Sequence, residues 1–258
     1  MLKEKMNDGC AMSVAGLDPS GGAGIICDCK TFHAHGIYAT TVVTALTAQN
    51  PYSVTGIEAV NTDFIEEQID QIMDVYPIEY MKTGVLYSKD IVKCVSKKIK
   101  EYQLKAVVDP VLISESGKNL SEDNFVESLH KYLLKNAFII TPNVHEAERI
   151  ADKKIESQED MIDVAYKLSK YCNVVVTGGH MEGNDIVVED DNLSIIESQL
   201  INSDNTHGTG CTYSSALTSR LIQGYDIIES CKMSKNFMVN AIRYGFNRTP
   251  YQFWEYKF

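Results

Sequence analysis

The sequence predicts a mainly parallel β-sheet covered by helices on both faces, and three features predict it. Strand-like and helix-like segments alternate almost from end to end. Segments such as 106–111 and 173–176 are runs of β-branched and apolar residues, as strands covered on both sides require. Polar, acidic and glycine residues gather where these strands end, which is where open α/β sheets bind ligands. At 258 residues the chain reads as a single domain over 1–258, with 1–11 as a flexible leader.

In order, Met12–Ala15 is the first strand, followed by the glycine-rich loop Leu17–Gly24. A helix follows with Ile25, Cys29 and Phe32 on one stripe and Gly36 as its stop. Asp28 lies at the edge of that stripe, where a carboxylate either supports a neighbour or faces a cavity. Ala39–Ala48 is a buried strand ending in Gln49-Asn50-Pro51, and Ser53–Val60 is a further strand or an edge flap. Phe64–Val75 is helical, Tyr80–Leu86 a strand, Ile91–Tyr102 helical, and Ala106–Val111 a strand that closes on Asp109-Pro110. Leu120–Leu134 is predicted as a helix and Phe138–Ile140 as a strand. Asn143 and Glu146 stand one turn apart at the next helix start, either as cap and first-turn acid or as a functional pair. The strand Asn173–Val176 runs into Thr177-Gly178-Gly179-His180, and a hairpin around Val187 and Ile195 follows. Helices over Gly210–Gln223 and Ile227–Tyr244 close the chain.

The stretch Asn205-Thr206-His207-Gly208-Thr209-Gly210-Cys211-Thr212 precedes one of those helices. Glycines at a helix start leave N–H donors bare, and with the helix dipole they form an anion site. Cys211 in the first turn is placed where a thiolate is stabilised, so a lowered thiol pKa is expected. The alternative is a tight turn with a packed cysteine behind it. The stretch fits neither a P-loop, which needs Gly-Lys-Ser/Thr, nor a dinucleotide fingerprint, because Tyr213 stands where the third glycine belongs.

A formal net charge of -11 gives nucleic acids and anionic membranes no electrostatic purchase. The start lacks a signal-peptide core, and no apolar run reaches the ~18–20 residues of a membrane span. The seven cysteines are scattered without a Cys-x-x-Cys, which points to a reducing cytoplasm.

Together these motifs resemble the bacterial hydroxymethylpyrimidine/phosphomethylpyrimidine kinases of thiamine synthesis, within the ribokinase-like superfamily. The resemblance runs from about Val14 to Gly245. It rests on Ala15–Ile25 with Asp28, Thr44–Leu46 with Ala48–Asn50, Lys82-Thr83-Gly84, Val108–Val111 with Ser116-Gly117, Thr141-Pro142-Asn143, and Thr206–Thr212. It implies a three-layer α/β/α ribokinase-like fold, ATP and Mg²⁺ as cofactors, and a homodimer. The implied reaction moves the ATP γ-phosphoryl group to a pyrimidine's CH2OH and then to the monophosphate. Gly16, Asp28 and Gln49 would contact the pyrimidine, between apolar walls at Val85 and Val111. Asn143, Thr177, Thr206, Gly208, Thr209 and Gly210 would bind phosphate or ATP. Cys211 would stand at the attacking hydroxyl, and Glu146 with Asp109 would serve the metal.

Three departures stand out. Thr177 replaces a common lysine, Glu115 replaces another, and the tail Tyr251–Tyr256 lacks the usual Gly-Pro-rich ending. Thr177 leans toward a pyridoxal kinase of the same fold, while Gln49 leans toward a pyrimidine. An amide complements a ring nitrogen beside an amino group, and family members tuned to pyridoxal tend to carry Met there. A catalytically silent ligand-binding protein is the third reading, opposed by Gly208, Gly210, Cys211 and Glu146 occurring together.

Overall fold

The structure is a computed structural model that describes residues 9–253 other than 114–116, 118–119, 123, 180, 182 and 199. Its strands are β1 (Cys10–Leu17), β2 (Tyr38–Asn50), β3 (Ser53–Ala59), β4 (Tyr80–Thr83), β5 (Lys105–Val108), β6 (Ala137–Ile140), β7 (Asn173–Val176), β8 (Asp185–Glu189) and β9 (Asn192–Ile196). Its helices are α1 (Gly24–Ala34), α2 (Thr62–Met73), α3 (Lys89–Glu101), α4 (Phe125–Ser128), α5 (Val144–Ala151), α6 (Gln158–Ser169), α7 (Thr209–Ile222) and α8 (Ile227–Arg243).

All the strands form one sheet in the order β3-β2-β1-β4-β5-β6-β7-β8-β9. From β2 to β7 the pairing is parallel, while β3 at one edge and β8 and β9 at the other run antiparallel. Strand alternation sorts the core into two layers. Val174 and Val176 join the layer that buries Ile65 and Ile69 of α2, Ile91 and Val95 of α3, and Val164 and Leu168 of α6. Val175 points the other way, into the layer with Tyr213 and Leu217 of α7 and Cys231 of α8. The three-layer α/β/α expectation therefore holds.

Three expectations need correction. β1 already begins at Cys10, and Ala11 is wholly buried, so residues 10 and 11 belong to the sheet and not to a leader. The helix expected over Leu120–Leu134 is broken up: α4 is a single turn, with π-helical geometry over Leu129–Leu133 and a 3₁₀ turn over Leu134–Asn136. Asn124, with φ at 65°, prevents a regular start. The sequence reading places no element over 158–169, yet α6 lies there, its Ser157 oxygen accepting the Asp160 N–H at 3.1 Å. Met161, Val164, Ala165 and Leu168 form its buried stripe.

Candidate active site

Lys82 lies beneath the carboxyl edge of the sheet, in β4, fully buried. Its ammonium is 2.9 Å from Asp28 Oδ1 and 3.5 Å from Asp109 Oδ2. Burial opposes the charge, but the negative groups around it, Asp28 foremost, hold the Lys82 pKa well above the ordinary value. Asp28 also accepts the hydroxyls of Ser13 at 2.5 Å and Ser215 at 2.9 Å, so both its oxygens are engaged. Asp28 has no exposure and three internal partners, Ser13, Ser215 and Lys82, so in this structure it is held as the counter-ion of Lys82.

The start of α7 lies above that pair. Gly208 precedes the helix with φ at 90°, and a Cβ there would fall 1.9 Å from the Gly22 carbonyl oxygen, so no other residue fits. Thr209 N–H donates to Thr206 O at 3.1 Å and Thr212 N–H to Gly208 O at 2.8 Å. Of the expected anion-hole residues, Thr209 thus spends its N–H inside the turn. The N–H groups of Gly210 and Cys211 have no acceptor among the described residues. A Cβ on Gly210 would lie 3.9 Å from both Asp109 carboxylate oxygens, which puts Gly210 close to that acid.

The expected lowering of the Cys211 pKa is also corrected. Its thiol is buried and stands well above the usual range: desolvation dominates, the field of Lys82 opposes it, and Asp28 and Asp109 add to the rise.

Asn143 and Glu146 do form a cap. The Asn143 side-chain oxygen accepts the Glu146 N–H at 3.0 Å, and Glu146 Oε2 accepts the Asn143 N–H at 2.9 Å. The cap does not quiet the acid. Burial first, then the negative charge of Asp109, lifts Glu146 to about 8. Asp109 is raised too, chiefly by burial, though Lys82 and the Ser214 hydroxyl at 3.1 Å work against the rise. Asp109 and Glu146 are thus two buried acids that repel each other, and among the described residues no group of three or more His, Cys, Asp or Glu is clustered as a metal site. Thr177 is half-buried, pairs with Asn143 in a parallel bridge and donates its N–H to Pro142 O at 2.9 Å. His180 and Glu115 lie outside the described residues.

On the other side of the cleft, Gly16 and Val85 come together, since a Cβ on Gly16 would be 3.5 Å from Val85 Cβ. Gln49 is half-buried at the end of β2, beside a register shift against β3. Its amide makes no side-chain hydrogen bond among the described residues. Val111 is half-buried just past Asp109, whose carbonyl accepts its N–H at 2.9 Å.

Sequence reasoning gave no role to Lys82, although a lysine inside a short, otherwise apolar or uncharged strand is a signal of a buried counter-ion. It also missed the pairing of Asp18 with His207 Nε2 at 2.8 Å, which ties the glycine-rich loop to the stretch before α7.

The sequence pattern of the phosphomethylpyrimidine kinase family matches residues 18–253. The chain is 35% identical to a hydroxymethylpyrimidine/phosphomethylpyrimidine kinase of Bacillus subtilis, over 90% of this chain and 88% of that one. It is 38% identical to the thiamine biosynthesis bifunctional protein ThiED of Geobacter sulfurreducens, over 91% of this chain but only 49% of that longer protein. It is also 34% identical to a pyridoxine kinase of Bacillus subtilis, over 93% of each. Among solved structures, a phosphomethylpyrimidine kinase from Clostridium difficile superimposes with a TM-score of 0.80 at 38% identity, covering 90% of this chain and 99% of that one. An ADP complex of Bacillus subtilis pyridoxal kinase gives 0.85 at 33% identity and 94% coverage of each. Among the described residues no helix is long and apolar enough to cross a membrane.

Proposed function

The chain belongs to the phosphomethylpyrimidine kinase family, and from that premise we propose a specific reaction for its cleft. It transfers the γ-phosphoryl group of ATP to the hydroxymethyl group of 4-amino-5-hydroxymethyl-2-methylpyrimidine, and then to the resulting monophosphate. The observation that carries this reading is the bare pair of N–H donors at Gly210 and Cys211, in a helix turn whose Gly210 lies close to Asp109.

The transferring phosphoryl group sits on those donors, where a helix terminus favours negative charge. Asp109 and Glu146 would hold Mg²⁺, which when bound neutralises phosphate charge. The alcohol lies against Gly16 and Val85, and the Gln49 amide reads the ring nitrogen and amino group side by side. Phosphoryl transfer has a loose transition state, so positioning matters more than base strength. Only the thiolate of Cys211 can accept the hydroxyl proton. Burial keeps that form scarce, and the Lys82 ammonium is the charge whose field favours it. The homodimer implied by the resemblance belongs to the same proposal.

The test is to incubate the purified protein with ATP, MgCl2 and the pyrimidine alcohol and to resolve the products by mass. Monophosphate appearing first and diphosphate second is expected. Absence of both, with pyridoxal turned over under the same conditions, would move the assignment to a pyridoxal kinase.

A further inference from the structure

The C-terminal stretch, whose sequence departs from the family ending, is built onto the phosphate loop. The His207 N–H donates to the Arg248 carbonyl at 2.9 Å, and the Arg248 N–H donates to Asn205 Oδ1 at 3.1 Å. Gln252 is only 4% exposed. Its amide nitrogen donates to Thr212 Oγ1 at 3.2 Å and approaches Cys27 Sγ at 3.4 Å. Thr212 follows Cys211 in the first turn of α7 and is wholly buried, and its hydroxyl lies 3.3 Å from the same Cys27 sulfur. On the opposite side the glycine-rich loop presses on the helix start through Gly22 against Gly208 and through Asp18 with His207.

The first turn of α7 needs such support. It starts at a glycine, with no side-chain cap, and two of its donors are left for a ligand. A buried primary amide is costly to desolvate unless it is bonded, and an apolar side chain would fill the same space without that cost. The amide therefore has a task that packing alone does not set. On the reading of this site as a phosphoryl-transfer centre, on which the inference rests, we propose that Gln252 is a positioning residue for it. By holding the Thr212 hydroxyl, it fixes the turn that carries the Gly210 and Cys211 N–H groups and the Cys211 sulfur.

The test compares wild type with Gln252→Leu, Thr212→Val and the double variant, measuring kcat and KM for pyrimidine alcohol and ATP alongside the melting temperature. Either single change should lower kcat about ten- to a hundredfold, the scale of a small misplacement of reacting groups. KM values should stay within about threefold, because binding to the ground state is not what is lost. The double variant should be no slower than the slower single one, since both remove the same bond. A merely structural role would lower the melting temperature and leave kcat at 25 °C within about twofold of wild type. That result, or losses that multiply in the double variant, overturns the proposal. If Gln252→Leu does not fold, Thr212→Val alone decides it by the same kcat criterion. Wild type turning over the pyrimidine while both variants match it sinks this inference only, whereas an inactive wild type sinks the functional reading beneath it.

Discussion

The two ends of the cleft are built on opposite terms. At the phosphate end the supporting polar groups are committed to one another: Lys82 to Asp28 and Asp109, Ser214 to Asp109, Asn143 to Glu146, Asp18 to His207. At the acceptor end Gln49 offers an amide with no side-chain partner among the described residues, at the far end of the strand whose Ala45 meets Gly16 beside Val85. The fold needs the first set to be stable and does not need the second. Catalytic geometry is thus tied to stability here, whereas substrate choice rests on groups that can change with little cost to folding.

The largest effect should come from the phosphate end. Cys211→Ala is expected to reduce turnover roughly 10²–10⁴-fold, the range for a positioned base, with ATP binding retained. Because the thiol is held well above its usual pKa, wild-type kcat should climb with pH through 7 to 9 without reaching a plateau. The sign follows from the base being active only when deprotonated. Near wild-type turnover in Cys211→Ala would make it a packing residue.

Next comes Lys82→Met, which leaves Asp28 and Asp109 buried without their cation. Breaking a buried pair from one side costs about 3–5 kcal/mol, to be read from urea unfolding. The matched change at the other end, Gln49→Met, should stay within about 0.5 kcal/mol of wild type. Equal losses at the two positions would erase the contrast between them.

A smaller effect separates the two roles of Glu146. Glutamine can still reach the Asn143 N–H, so Glu146→Gln should preserve the helix cap and remove only the charge. The Mg²⁺ concentration for half-maximal rate should then rise about 10–100-fold. An unchanged titration would reduce the Asn143 and Glu146 pair to a cap.

Much of the fold was legible because strands buried on both faces are nearly continuous apolar runs, as at 173–176, with polar residues at their ends. The α6 stripe at 161, 164, 165 and 168 was equally legible and was passed over among the acidic residues around it. The break before α4 was not legible, since a left-handed Asn124 is a local backbone choice imposed by what surrounds it. In the site, the glycines and Cys211 marked a helix start, and the structure leaves the N–H groups of Gly210 and Cys211 without an acceptor among the described residues. What sequence could not give was the sign of the Cys211 shift. A helix terminus lowers a thiol pKa, but depth of burial reverses the outcome even against the field of Lys82, and only placement in space decides it. The sequence leaves Asp28 open between supporting a neighbour and facing a cavity, and only the structure brings Lys82, 54 residues on, to hold it.

The central claim is that the acceptor end selects a pyrimidine, and relatives named for both pyrimidine and pyridoxine chemistry make it testable. The direct measurement is the ratio of kcat/KM for hydroxymethylpyrimidine to that for pyridoxal, in wild type and in Gln49→Met. An amide that the bound ring would cover and leave unpaired against pyridoxal costs on the order of 1–3 kcal/mol, so wild type should favour the pyrimidine about ten- to a hundredfold. Gln49→Met should narrow or reverse that ratio. A wild-type preference for pyridoxal, or a ratio that Gln49→Met does not move, would contradict the account.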